Sequence, residues 1–228
     1  SRWSPYSLSE QILGNVQRAF EVVQGLGLWR ESPNANPIPA ASPRESIIAT
    51  VAAAKKVPPE GLVAYGAVAM PGNRVQLPCY GPDGLKCSTL TFGTNDKGLL
   101  AKDHPAGLFF PHNEGGVILP KPGETWILVE GPKDSAALFC SGYKTCGLNT
   151  AHLNAKFASL FTGVNCVVVP DHDEPGTKGA QSTAAALVGV AASVRIAEWP
   201  ANLADGADVR DVLQLEGGCE IVARAIAE

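Results

Sequence analysis

From Gly123 onward, four short apolar runs recur at 125–129, 143–148, 166–169 and 193–197, separated by helical stretches near 134–141, 152–162 and 177–191. Another helical stretch lies near 208–215. Strand and helix alternating at this spacing predict a mostly parallel sheet with helices on both faces, because parallel neighbours need a crossover between them. In such sheets the functional groups gather beyond the carboxyl ends of the strands. Those ends are acidic here. "WILVEGPKDSAAL" puts Glu130 directly after an apolar run and Asp134 at the start of the next helix, and "CVVVPDHDEPGTKGA" puts Asp171, Asp173 and Glu174 after another. "LADGADVRDVL" supplies a third group, Asp205, Asp208 and Asp211.

Carboxylates brought together repel. Two unit charges about 4 Å apart cost roughly 4 kcal/mol at an effective dielectric near 20. Either some are protonated or a hard divalent cation sits among them. Mg²⁺ favours a few carboxylates with waters and phosphates, so three acidic groups without a histidine set suit it better than zinc. His172 points away if Asp171 and Asp173 share a face, and it is read as a non-ligand. A lone Glu after a strand, or a lone D-x-D, is more often solvated loop, and only the joint pattern carries weight. The turns at Gly131-Pro132 and Pro175-Gly176 lead from strand into helix, where free N–H groups near Gly176 can face an anion.

The first part of the chain is organised differently. Residues 7–24 read as an amphipathic helix, and "ESPNANPIPAASPRES" as a linker. Gly25-x-Gly27 follows a helix and lacks a third glycine, so it is no dinucleotide fingerprint. A helix is expected over 46–56. In "RVQLPCYGPDGLKCSTLTFGT" two alternating runs flank Gly81-Pro82-Asp83-Gly84, a hairpin signal. The resulting division is 1–45 for the N-terminal helix and linker, 46–122 for a small mixed α+β unit, and 123–228 for the parallel-sheet domain.

With 228 residues and 45% hydrophobic content, the chain can bury a core without staples. Its six cysteines form no C-x-x-C pair, which leaves out a zinc ribbon or redox motif. No signal sequence or membrane-length apolar run is visible, so a cytoplasmic protein with no membrane partner is expected. The start at Ser1 without Met suggests a piece of something longer. Net charge is −4, with ten Lys/Arg against nine Asp/Glu up to Pro120 and eight against thirteen thereafter. Acidity concentrated in one half is compatible with a polyanionic partner if cations bridge the two.

Taken together, "ILVEGPKDSAAL", "VVVPDHDEPGTKGAQSTAAAL" and "GADVRDVL" resemble the TOPRIM domain of DnaG-type primases, phage and plasmid primase-helicases, topoisomerases and some nucleases. The resemblance covers roughly residues 124–215. It implies a Rossmann-like α/β sheet with Glu130, Asp171 and Asp173 as catalytic residues. The D-x-D of Asp171 and Asp173 is implied to bind Mg²⁺ or Mn²⁺ together with Glu130. Asp134 matches an acid four residues after the motif Glu in primases, while Asp208 and Asp211 resemble a D-x-x-D of phage-type primases; all three are implied to extend the metal or nucleotide site. Gly147 lies near a family glycine. More loosely, "VQLPCYGPDGLKCSTLTFG" resembles a hairpin in the subdomain that precedes TOPRIM in primases and walls a basic groove. Arg74, Lys86, Lys97 and Lys102 are the groove candidates, and Lys133 and Lys178 would offset phosphate charge.

The activity so implied is DNA-directed primer synthesis from nucleoside triphosphates on single-stranded DNA, with two metals as one arrangement of the site. A replicative helicase domain or subunit is the implied further partner. A TOPRIM nuclease uses similar acids, although the upstream unit and the D-x-x-D argue against it. An aspartyl-nucleophile phosphatase leaves "VEGPKD" unexplained. A non-catalytic nucleic-acid-binding module of a helicase would have no need of the acids. No G-x-x-x-x-G-K-[ST] loop is present.

Overall fold

The computed structural model describes residues 43–227. The helix expected over 7–24, the linker after it and Gly25-x-Gly27 lie outside the described residues. The first described elements are helices α1 (Pro43–Ala54) and α2 (Pro59–Ala64), then strands β1 (Val68–Met70), β2 (Arg74–Tyr80), β3 (Lys86–Gly93) and β4 (Leu99–Leu100). The four strands form one antiparallel sheet in the order β1-β2-β3-β4. The expected hairpin joins β2 to β3: the Gly81 amide donates to the Leu85 carbonyl and the Leu85 amide to Asp83 Oδ1 at 3.0 Å. Val75, Leu77 and Cys79 alternate with more exposed neighbours, and with Leu90 and Phe92 they pack under Val51 and Leu62 of the two helices.

A two-stranded ribbon, β5 (His112–Asn113) and β6 (Gly116–Val117), leads into the second sheet. Here β7 (Thr125–Glu130), α3 (Pro132–Cys140), β8 (Thr145–Leu148), a 3-10 helix (Ala155–Phe161), β9 (Asn165–Val169), α4 (Glu174–Leu187), β10 (Ser193–Ile196), α5 (Val209–Leu213) and α6 (Gly218–Ala227) follow in turn. The strands are parallel in the order β10-β9-β7-β8. All four strands were legible as apolar runs. The stretch near 152–162 forms a 3-10 helix rather than an α-helix, and α6 is an addition to the expected set.

Side chains of β7 alternate between two cores. Trp126 and Leu128 face Phe157, Phe161 and Leu187 on one side, while Ile127 and Val129 face Leu138, Val209, Val212 and Val222 on the other. Each such side chain contributes about 1.5–3 kcal/mol by leaving water, so a one-residue slip of β7 would exchange both cores and is strongly disfavoured. The segment just before the ribbon ties the two sheets together. Tyr80 and Leu108 exchange backbone hydrogen bonds, and so do Phe109 and Gly147. Among the described residues no helix is long and apolar enough to cross a membrane. The six cysteines are all free, with Cys79, Cys146 and Cys166 buried.

Candidate functional site

Strand β7 leads to β8 on one side and is flanked by β9 on the other, so the chain reverses its direction of sheet growth between β7 and β9. A crevice opens at such a point because the two crossover helices leave to opposite sides. Glu130 ends β7 and Asp171 follows β9. The two carboxylates line one cleft of about 480 Å³ together with Asp134, Asp208, Lys97, Lys133, Asn149 and Arg210. Its far wall is Leu90 and Gly98–Leu100 of the antiparallel sheet.

Local backbone chemistry sets these groups in place. Gly131 has φ of 82°, a left-handed conformation that lets the chain turn from Glu130 straight into α3, with Pro132 in its first turn. Gly147 on the neighbouring strand leaves room for that turn: a Cβ there would meet the Gly131 carbonyl oxygen at 2.8 Å and the Pro132 Cα at 2.9 Å. After β9, Asp173 caps α4 by accepting from the Gly176 amide at 2.6 Å. The helix starts at Glu174, so Pro175-Gly176 lie inside its first turn rather than before it. His172 turns away from the cleft, its Nδ1 donating to the Ala204 carbonyl at 2.9 Å.

Charge in the cleft is uneven. Burial pushes the Asp171 carboxyl up to about 8, with Asp134, Glu130, Asp208 and Asp173 adding repulsion in the same direction. Burial also raises Glu130, and Asp173 adds to it. Among the described residues neither Glu130 nor Asp171 has an ion-pair partner. Asp134 is 6% exposed and is raised to about 6 by burial, against which Arg210 Nε, 2.9 Å from its Oδ1, pulls it down. Arg210 Nη2 also pairs with Asp208 Oδ2, and Nη1 donates to the Lys55 carbonyl at 3.0 Å. Burial opposes the Arg210 charge, yet Asp134 and Asp208 outweigh it and keep the guanidinium protonated.

Asp208 and Asp211 form a capping box on α5, and Asp211 pairs with Lys56 at 2.6 Å. Asp208 thus lines the cleft, whereas Asp211 faces Lys56, just after α1. Asp205 is exposed and outside the cleft lining. Of the basic candidates, Lys97 and Lys133 line the cleft. Lys133 lies over the Phe92 ring, 5.7 Å from its centroid, and burial lowers its pKa. Arg74 pairs with Asp96 at 3.3 Å, and the exposed Lys178 pairs with Glu174 one helical turn away. Lys86, at the start of β3, and Lys102, beyond β4, are exposed and outside the cleft lining. Arg210, Asn149 and Lys55 are the residues that sequence reasoning missed. The signal for Arg210 was its position between two acids in "DVRD".

Among the described residues no three His, Cys, Asp or Glu side chains converge closely enough to enclose a metal ion. The donors present are nevertheless those of a hard cation. Mg²⁺ keeps most of its waters and takes one or two carboxylates with substrate phosphates, and Glu130 and Asp171 line the cleft with no ion-pair partner among the described residues. The residues fit that group. Beyond Asp171 a second hollow of about 430 Å³ is lined by His172, Thr177, Gln181, Glu198 and Trp199, whose Nε1 donates to the Pro170 carbonyl at 2.6 Å.

No protein-family model matches the chain, and no curated protein matches it in sequence. Solved structures do match. The primase fragment of the bacteriophage T7 primase-helicase protein is similar with a TM-score of 0.59 and 18% identity, over 78% of this chain and 73% of that one. The E. coli primase catalytic core gives 0.56 and 16%, over 82% and 74%. A DnaG primase catalytic domain bound to single-stranded DNA gives 0.55 and 14%, over 93% and 79%. With two sheets, one antiparallel and one parallel, meeting at an acidic cleft, the chain has the fold of DNA primase catalytic cores.

Proposed function

We propose that the chain is the catalytic core of a TOPRIM-type DNA primase, a nucleotidyltransferase that makes short primers on single-stranded DNA. The observation that carries this reading is the convergence of Glu130 and Asp171 at the sheet's switch point, facing Lys97 across one cleft. In this reading a hydroxyl oxygen attacks the α-phosphorus of a nucleoside triphosphate, the bond to pyrophosphate breaks, and the hydroxyl proton passes to a Glu130 oxygen. Glu130 and Asp171 would hold Mg²⁺ or Mn²⁺, with Asp173, which caps α4 outside the cleft lining, as the third acid of the set; the ion when bound supplies charge neutralisation at the transferring phosphoryl group.

Lys133 and Lys97 would hold triphosphate oxygens as point charges. Template contacts would be mostly to phosphates, hence salt-sensitive. Arg74, Lys86, Lys102 and Lys178 would act only on more distant parts of a polyanion. The small α+β unit at 46–122 would serve as the groove wall and the domain at 123–228 as the catalytic part. A helicase domain or subunit is the expected partner, as part of cytoplasmic DNA replication.

The test is primer synthesis on single-stranded DNA with labelled nucleotides and Mg²⁺ or Mn²⁺. The Asp173→Asn variant is expected to lose at least 100-fold in rate, on the order of 3 kcal/mol of transition-state stabilisation, with an unchanged circular dichroism spectrum. Full activity in that variant removes the metal assignment. Shortening of the DNA without a nucleotide-dependent product favours a TOPRIM nuclease instead.

A further inference from the structure

The acids of this sheet edge divide by what they already touch. Asp134 accepts from Arg210 Nε at 2.9 Å and is almost fully enclosed. Asp208 spends Oδ1 on the Asp211 amide at 2.9 Å and Oδ2 on Arg210 Nη2. Asp211 spends Oδ1 on Lys56. The third guanidinium nitrogen is taken by the Lys55 carbonyl, so all three nitrogens of Arg210 are bound and the group cannot swing aside without loss. Glu130 and Asp171 have no cation of the chain among the described residues, and Asp173 meets only the Gly176 amide and the backbone.

We propose that Arg210 is a built-in counter-cation standing between Asp134 and Asp208 where a second divalent ion would bind, so that the cleft takes one divalent ion per chain, at Glu130 and Asp171. The inference rests on the metal-dependent reading above and restricts it. A metal entering between Asp134 and Asp208 must expel a guanidinium that is 16% exposed and leave it without its partners. Breaking a buried pair from one side is costly because an uncompensated charge remains inside. The planar fork also matches two carboxylates at once, which a lysine could not do. Of the six acids that the sequence offers as metal-binding, three are thereby committed to the chain's own cations.

The experiment is Mn²⁺ titration of the full chain without nucleotide, with free Mn²⁺ read by electron paramagnetic resonance. One ion per chain is expected, lost in Asp171→Asn and retained in Asp208→Asn. Arg210→Gln is expected to raise the count to two by releasing Asp134 and Asp208. Two ions on the unaltered chain overturn the inference while leaving metal dependence standing, and this count decides the matter even if Arg210→Gln does not fold. A folded Arg210→Gln that still takes one ion overturns it as well. No bound Mn²⁺ at millimolar concentration overturns the metal reading and the inference with it.

Discussion

At the level of single residues, the position of Glu130 depends on an atom that is missing next door. Gly147 has no Cβ, and the Gly131-Pro132 turn occupies that space. Gly147→Ala must push the turn away, as backbone and not a flexible side chain is the obstacle. The expected cost is about 1–3 kcal/mol in a urea unfolding midpoint, the range for overpacking a filled interior. Because the displaced turn directly follows Glu130, Mn²⁺ affinity should fall in the same variant. A stability loss with unaltered Mn²⁺ binding would show that Glu130 is held from elsewhere. The acids were readable in the sequence, since a carboxylate closing an apolar run is conspicuous. Arg210 was not, because its partner Asp134 is 76 positions away and only the packing of α5 against α3 brings the two together.

Secondary-structure elements were legible where burial made them so. Strands β7, β8 and β9 are buried along nearly their whole length and therefore show as apolar runs. Helix α2 has six residues, too few to show a period. Helix α6 escaped because Gly217-Gly218 looks like an end signal. Gly218 is instead where the helix starts: a Cβ there would meet the Val212 carbonyl at 2.1 Å, so only glycine allows α6 to fold back on α5.

The start of β7 carries an element-scale prediction. Glu124 accepts from Lys144 Nζ, just before β8, and from Trp126 Nε1 at 2.8 Å. The Lys144 hydrogen bond, then that of Trp126, hold its carboxyl below the usual range. The folded state therefore binds fewer protons there than the unfolded one, and stability from this group is present above the unfolded pKa near 4.5 and lost as pH falls through the lower folded value. Thermal melts of Glu124→Gln should show a lower Tm than the unaltered chain at pH 7, with the gap closing towards pH 3. A gap independent of pH would assign the loss to packing.

On the scale of the whole molecule, the cleft has walls from two different sheets: Leu90 and Leu99 on one side, Glu130 and Asp171 on the other. The sequence indicated both sheets separately, through the hairpin and through the strand-helix alternation. It did not indicate what fastens them, because residues 107–111 carry no periodic pattern. Besides the bridges that Leu108 and Phe109 make, side chains add to the fastening: the Arg210 bond to Lys55, the Lys56–Asp211 pair, and Tyr65, whose hydroxyl donates to the Thr145 carbonyl at 2.8 Å. Tyr65→Phe leaves that buried carbonyl unmatched and should cost about 1–3 kcal/mol in unfolding free energy. A neutral result would mean that Thr145 and Ser135 satisfy each other.

The short segment at Leu108 and Phe109 acts as a rivet. One residue is hydrogen-bonded to the end of β2 and the next to the middle of β8. A rivet of this kind resists a jaw-like motion of the two sheets that wall the cleft. Under the primer-synthesising function proposed above, a growing duplex would be accommodated until its bulk met that wall, and product length would be limited by a gauge built into the fold instead of by a timed closing step.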